Sequence, residues 1–128
     1  MKITDMTKRN LVAVSVKHSE YSLGKKWKFG MRLVLWGEHR TEDDQPRSFS
    51  GYTWYLDSAE RYSLQDWVDS HYHNGSIMKI DEPVKLDINF WKNYKNYDTV
   101  LLLEEDYRNY CKLACISTSI PCKDGDGL

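Results

Sequence analysis

Two stretches of this chain constrain its fold most, because both predict strands of a central sheet. In residues 11–17 every second residue is a valine, namely Val12, Val14 and Val16. Side chains of a strand point alternately to opposite faces, so this period of two predicts a strand. Residues 99–103 form an apolar run of strand length, which predicts a strand buried on both faces. A chain with both segments is expected to fold around a sheet.

Alternation elsewhere in the sequence predicts further strands. Residues 29–36 and 49–56 alternate on either side of a charged loop, which favours an antiparallel hairpin with a long connection. Short strands are also predicted at 76–80 and at 84–88. Residues 19–28 are polar and contain a run of lysines, so we predict a connection there rather than a helix or a strand.

Helices are predicted from capping signals and apolar stripes. Ser63 followed by Asp66 resembles a capping box, with the aspartate in place of the usual glutamate or glutamine, and predicts a helix that starts near 63. Aromatic residues at helical spacing predict a second helix at 90–97. Acidic residues at 104–106 suit the first turn of a third helix, whose apolar stripe would reach Cys115.

The predicted fold is therefore α+β, a single compact domain spanning residues 1–128. We expect a mostly antiparallel sheet of four to five strands with two to three helices on one face. Val34, Trp36 and Tyr55 would then lie on the second face of the sheet, so either helices cover both faces or an aromatic patch is exposed. Residues 117–128 are predicted to form a loose C-terminal tail.

The charge balance restricts the function classes. The 18 basic and 19 acidic side chains give a formal net charge of -1, which argues against a dedicated nucleic-acid-binding protein and against an acidic DNA mimic. No stretch approaches the ~20 apolar residues of a membrane helix. The polar first nine residues and the odd number of cysteines predict a cytoplasmic protein without a signal peptide.

The three cysteines form the one grouping that suggests a metal. Cys111, Cys115 and Cys122 crowd into the last eighteen residues, and the first two would share a face of the last predicted helix. With a histidine as the fourth ligand, they would hold a structural zinc ion. His71 is the predicted ligand, and His73, His18 and His39 are the alternatives. The alternative is that Cys111 and Cys115 are buried core residues of that helix, as free cysteines often are.

The remaining polar and aromatic groupings predict a binding surface rather than an active site. The chain has five Trp and nine Tyr, residue types that are enriched at protein interfaces. Trp36 and Tyr55 are the predicted anchors. Charged residues are predicted to orient the partner, and these are Lys25, Lys26, Lys28, Glu42, Asp43 and Asp44. The sequence contains no phosphate-binding loop, dinucleotide fingerprint, zinc-protease motif or serine-hydrolase elbow, so we expect that the protein is not an enzyme.

Several short motifs of the sequence are distinctive, namely WKFG at 27–30, LWGEHRT at 35–41, GYTWY at 51–55, YSL at 62–64, YDTVL at 97–101 and YCKLACI at 110–116. Together they resemble a group of small uncharacterised proteins encoded by phages and mobile elements of Gram-positive gut bacteria, and the resemblance spans roughly residues 9–121. The group brings no known active site. Small proteins of this origin include inhibitors of host defence, among them anti-CRISPR proteins that bind Cas9.

The resemblance implies a stoichiometric inhibitor, with anti-CRISPR activity against a Cas9-type nuclease as the leading hypothesis. One alternative is a zinc-stapled adaptor or regulatory module that contacts nucleic acid. The other is a small enzyme of phage metabolism, for which the structural sign would be a cleft that gathers His39 or His71 with a carboxylate.

Overall fold

The computed structural model describes residues 5–70 and 76–120 of the chain. Nine helices and strands follow one another in this part, with a single 3-10 turn at Leu56–Ser58. In chain order they are β1 (Leu11–Ser15), α1 (Val16–Leu23), β2 (Leu35–Trp36), β3 (Tyr52–Thr53), α2 (Leu64–Asp69), β4 (Met78–Lys79), α3 (Phe90–Tyr94), β5 (Thr99–Leu103) and α4 (Glu104–Leu113).

The strands form one five-stranded sheet in the order β3-β2-β1-β5-β4. Its centre is the antiparallel pair β1 and β5, which runs in register from Leu11 opposite Leu103 to Ser15 opposite Thr99. β2 and β3 add two further antiparallel pairings, and β4 lies parallel to β5 at the far edge. The α+β prediction is therefore confirmed, with a mostly antiparallel but mixed sheet and, among the described residues, four α-helices instead of two to three.

The sheet buries both of its faces. Val12 and Val14 pack into a first core together with residues of α3 and α4, whereas Leu11 and Ala13 pack into a second core beneath α2. Because successive strand side chains point to opposite faces, both sets are buried only if helices lie on both sides. The prediction that the helices share one face is wrong, and of the two arrangements that the sequence left open, the structure adopts coverage of both faces.

Residues 16–23 form a helix, where the sequence predicted the end of a strand and a polar connection. Val16 and Ser19 are buried one turn apart, and Leu23 packs against the first core at the next turn. Gly24 ends the helix at φ 68°, a left-handed conformation that glycine adopts without steric cost, and its N–H donates to the carbonyl of Glu20 at 3.1 Å. The valine at position 16 continues the alternation of β1 in the sequence, but its burial is achieved by a helix.

The outer strands are shorter than predicted, while the helix starts agree with their capping signals. β2 and β3 contain two residues each, and the predicted strand at 84–88 is not formed. α2 begins with the predicted capping box, because Ser63 Oγ accepts from the N–H of Asp66 at 3.0 Å and the Asp66 carboxylate accepts from the N–H of Ser63 at 2.8 Å. α4 ends at Leu113, before Cys115.

The start of the predicted C-terminal tail is bound to the domain. Asp57 accepts hydrogen bonds from the hydroxyls of Thr118 at 2.9 Å and Ser119 at 2.7 Å, and Arg32 donates to the carbonyl of Ser117 at 2.9 Å. Residues 117–119 therefore belong to the packed structure. Among the residues described, no helix is both long enough and apolar enough to cross a bilayer.

Candidate functional site

A buried carboxylate, that of Glu60, organises the loop between β2 and β3. One of its oxygens accepts from the N–H of Phe49 and from the hydroxyl of Tyr62, both at 2.9 Å. The other accepts from the N–H of Ser48 at 2.8 Å and from the hydroxyl of Thr41 at 2.5 Å. Burial opposes ionisation of Glu60, but these hydrogen bonds outweigh it and lower its pKa. The loop is thus assembled around a buried negative charge.

Three arginines hold the same loop, Arg9 and Arg61 from outside it and Arg47 from within it. Arg9 donates to the backbone carbonyls of Asp43 and Gln45, the latter at 2.8 Å, and Arg47 donates to the carbonyl of Gln45 at 3.0 Å. Arg61 pairs with the carboxylate of Asp43 at 2.7 Å. Because the arginines bind mainly backbone oxygens, they fix the loop without neutralising all of its carboxylates.

The loop is also tied to two helices. Arg9 binds both oxygens of Asp66 in α2 at 3.0 Å each, and Arg40 lies 2.8 Å from a carboxylate oxygen of Glu104 in α4. Burial opposes ionisation of Asp66, but the bonds from Arg9 and Ser63 prevail and lower its pKa. We call residues 38–48 the acidic loop.

The predicted acidic contact residues lie at the outside of the acidic loop. Glu42, Asp43 and Asp44 are all exposed, and Asp43 is partly engaged by Arg61. The sequence predicted a solvated charged loop here, but not its supports, because Glu60, Arg9 and Arg61 are distant in the chain from the carboxylates that they position. The structure therefore presents two further carboxylates, those of Glu42 and Asp44, on a held backbone.

The two predicted aromatic anchors do not form one patch. Trp36 is partly buried against the second core, with its ring centroid 5.3 Å from that of Trp67. Tyr55 lies beneath the guanidinium of Arg32 at 5.1 Å and lines a shallow apolar groove of about 390 Å³ with Leu23 and Met31, which belong to the first core. The prediction that both residues lie on the same face of the sheet is wrong.

An aromatic edge that the sequence did not single out lies at the base of the acidic loop. Tyr52 pairs with Trp36 across β2 and β3, and their ring centroids are 5.0 Å apart. The ring of His18 covers Tyr52 at 4.4 Å, and Tyr52 remains 40% exposed. We call Trp36, Tyr52 and His18 the aromatic edge. It could not be found from sequence, because His18 belongs to a helix that the sequence did not predict.

The structural sign of an enzyme would be a cleft that gathers a histidine with a carboxylate. The Ser15 hydroxyl lies 2.8 Å from Nδ1 of His18, beside a recess of about 290 Å³ that Asp98 also lines. The Asp98 carboxylate is paired with Lys17 at 3.0 Å and accepts from the N–H of Ile77 at 2.9 Å. Both oxygens of the Asp98 carboxylate therefore bind Lys17 and the Ile77 N–H, not the imidazole of His18. His39, in the acidic loop, lies 3.4 Å from the carboxylate of Glu38, but both side chains face solvent instead of a cleft.

The predicted basic run is exposed, but the tryptophan within it is not. Lys25, Lys26 and Lys28 are exposed, whereas Trp27 is buried and stacks on Trp91 of α3, with ring centroids 5.2 Å apart. This contact brings the run beside α3, where Lys92 in the helix and Lys95 directly after it are exposed and were not among the predicted site residues. The only sequence signal for them was their spacing of three on a predicted helix.

Two of the predicted zinc ligands, Cys111 and Cys115, lie among the described residues, and their surroundings differ. Cys111 is buried in the first core and contacts Tyr107, and burial raises the pKa of its thiol. Cys115 is exposed, beyond the end of α4, at φ 58°. The two therefore do not share a helix face, and His71 and Cys122 lie outside the described residues. Within residues 5–70 and 76–120 no three His, Cys, Asp or Glu side chains are grouped to hold a metal ion. The structural zinc remains a prediction.

Comparisons with known proteins identify no relative of this chain. No protein-family model matches it, and neither a curated protein nor a solved structure matches it.

Proposed function

We propose that the protein is a stoichiometric inhibitor of a host defence system, an anti-CRISPR protein that binds a Cas9-type nuclease and blocks DNA binding or cleavage without turnover. The observation that carries the proposal is the acidic loop, whose exposed carboxylates stand on a backbone held by Glu60 and by arginines. The resemblance to proteins of phages and mobile elements supports this target class.

The acidic loop suits a basic groove. RNA-guided nucleases hold their nucleic acid in a positively charged channel. Carboxylates of Glu42 and Asp44 would take the place of phosphates there, and the attraction would raise the association rate. Because the loop is ordered before binding, little conformational entropy would be lost in forming the complex.

The aromatic edge supplies the apolar part of the same interface. Trp36 and Tyr52 form a cross-strand pair directly at the two ends of the loop connection, so the aromatic edge and the acidic loop are continuous in space. Partly exposed Trp and Tyr side chains are the residue types that most often dominate binding energy. An aromatic anchor bordered by charged groups has the anatomy of a specific protein interface.

The experiment is a titration of purified protein against a Cas9-type nuclease loaded with guide RNA, read as complex formation and as DNA cleavage. We expect saturable inhibition near one inhibitor per nuclease. The double variant Glu42→Gln with Asp44→Asn should weaken inhibition at least about tenfold, since the loss of even one close charge pair of about 1.5 kcal/mol lowers affinity by that factor. Tyr52→Ala tests the aromatic edge in the same assay.

A matched control removes the same charge elsewhere. Glu105 and Asp106 are exposed on α4, so Glu105→Gln with Asp106→Asn should leave inhibition unchanged. Absence of both binding and inhibition by the wild-type protein would refute the proposed function. Equal loss in the control variant would show that net charge, and not the acidic loop, determines binding.

A further inference from the structure

Basic side chains are segregated on this molecule despite its balanced total charge. Residues 21–37 and 88–97 contain no aspartate or glutamate, yet they hold six of the 18 lysines and arginines. All 19 acidic residues lie elsewhere in the chain. If the two segments meet in space, their positive charges add, offset beside Trp27 by the carboxylate of Glu20, which accepts from the Trp27 N–H at 2.7 Å.

The fold brings these two segments together. Trp27 of the first segment stacks on Trp91 of the second at 5.2 Å and meets Phe90 edge-on at 5.8 Å. The Trp27 indole N–H donates to the carbonyl of Arg32 at 2.8 Å, which fixes the loop that carries the lysines. We call the exposed lysines of the two segments the basic face, and they are Lys25, Lys26, Lys28, Lys92 and Lys95.

A second anchor fixes the far end of the lysine loop. The Tyr110 hydroxyl accepts from the N–H of Gly30 and donates to the carbonyl of Met31, both at 2.7 Å. Phe29 packs edge-on against the same Tyr110 ring at 5.3 Å and is 46% exposed. The loop therefore displays its lysines and one aromatic ring from a defined backbone.

Aromatic rings are interleaved with the lysines of the basic face. Trp91 precedes Lys92, and Tyr94 precedes Lys95, and both rings are partly exposed. One face of the Trp91 indole is already covered by Trp27, which holds the ring in place for a partner on its accessible side. Lysines that follow a backbone and fixed rings on which bases stack are the two parts of a surface for single-stranded nucleic acid.

We propose that the basic face binds single-stranded nucleic acid, with phosphates on the lysines and bases stacked on Trp91 and Tyr94. An acidic protein surface would also satisfy the lysines, but it offers fewer flat partners for the rings. The net charge of -1 argued against nucleic-acid binding, but it averages over a segregated charge distribution. Binding at the basic face does not depend on the proposed inhibition of a nuclease.

The test is fluorescence anisotropy with labelled 20-nucleotide single strands of RNA and of DNA, of mixed sequence, over a series of salt concentrations. Each lysine that neutralises a phosphate contributes about -0.7 to the slope of log K against log salt, so engagement of all the lysines of the basic face gives a slope of about -3.5. Lys92→Gln with Lys95→Gln should lower the affinity at 50 mM salt at least about tenfold and flatten the slope by about 1.4.

A charge-matched control uses lysines in acidic surroundings. Lys8 and Lys85 line a shallow recess with Asp5, Glu82 and Asp106, and Lys8→Gln with Lys85→Gln should leave binding unchanged. Trp91→Leu should weaken binding about 5- to 150-fold, the range for loss of one stacked base. Tyr94→Leu gives the same readout if the Trp91 variant melts early.

The outcomes separate the proposal from its rivals. Absence of binding at 50 mM salt, or equal binding by the Lys92 and Lys95 double variant, overturns it. The proposal is also overturned if polyglutamate displaces the labelled strand as well as an unlabelled strand does and if the Trp91 and Tyr94 variants bind like the wild type. That result would assign the basic face to an acidic protein. Because free oligonucleotides are the probe, failure here leaves the nuclease titration unaffected.

Discussion

Replacing Glu60 with glutamine should destabilise the protein strongly, although the two side chains have nearly the same shape. Each oxygen of Glu60 accepts from one backbone N–H, that of Ser48 or that of Phe49. Glutamine replaces one oxygen with an NH2 group, so in either orientation one backbone donor faces another donor. The carboxylate is fully buried, and water therefore cannot relieve the conflict.

The magnitude follows from these contacts. One buried donor left unsatisfied costs about 1–3 kcal/mol, and hydrogen bonds to a charged acceptor are each worth about 1 kcal/mol more than bonds to a neutral one. We therefore expect Glu60→Gln to lower the free energy of unfolding by about 3 kcal/mol, which for a chain of this size is about 12 °C in Tm. Glu60→Ala leaves both N–H groups and the Tyr62 hydroxyl unsatisfied and should cost about 4 kcal/mol or more.

The assay is urea unfolding at pH 7, with Glu105→Gln as the control, since Glu105 is exposed on α4. The control should stay within about 0.5 kcal/mol of the wild type, as surface substitutions usually do. Hydrogen exchange of the Ser48 and Phe49 amides should accelerate in Glu60→Gln. A loss of stability no larger than that of the control would refute the idea that the carboxylate organises the acidic loop.

The stability contributed by Glu60 should depend on pH in a defined direction. Its pKa is lowered in the folded state, so its contribution is fully present above the ordinary value of 4.5 and is lost as the pH falls through the lower folded value. The gap in stability between the wild type and Glu60→Gln should therefore narrow below about pH 4.5. A gap that is constant between pH 7 and pH 3 would contradict the lowered pKa.

Four shorter predictions follow from the same structure. Ser63→Ala removes the capping box of α2 and should lower the free energy of unfolding in urea by about 1 kcal/mol. Ser63→Gly should lower it by only a few tenths of a kcal/mol. Gly37→Ala should cost about 2 kcal/mol or more, because Gly37 has φ 86° and a Cβ there would lie 2.9 Å from the backbone nitrogen of Glu60; a neutral effect on Tm would show that the backbone shifts freely. Iodoacetamide at pH 8 should label the exposed Cys115 in the native protein and spare the buried Cys111, whose pKa is raised; mass spectrometry of peptides checks this, and equal labelling would contradict it. The zinc prediction requires one zinc per chain after dialysis and a lower Tm after EDTA, and a metal-free protein with unchanged melting would refute it.

Features that depend on short-range interactions could be predicted from the sequence. The capping box of α2 involves residues three positions apart, so its hydrogen bonds need no information from elsewhere in the chain. The two central strands could be predicted because burial on the sheet requires apolar side chains, and those side chains form a recognisable pattern in the sequence. Acidic residues likewise marked the first turn of α4 correctly.

Features that depend on distant partners could not be predicted. Residues 16–23 are mostly polar, and their helix is stabilised by contacts such as the Ser19 hydroxyl, which accepts from the N–H of Val34 at 2.8 Å. Gly24 was the one local signal for its end. Trp27 was grouped with its lysine neighbours, and only its stacking on Trp91 shows that it is a core residue.

The sequence by itself determined the α+β class, the positions of the two longest strands and the charged residues available for binding, because periodicity and composition are properties of the chain alone. Their antiparallel pairing at the centre of the sheet was decided by the tertiary structure. The tertiary structure decided which of those residues act together. It placed Glu60 and Arg9 behind the acidic loop, separated Trp36 from Tyr55, and joined two acid-free segments into the basic face. The reason is that a binding surface is a property of proximity in space, and proximity between residues far apart in sequence is settled only when the cores on both faces of the sheet have packed.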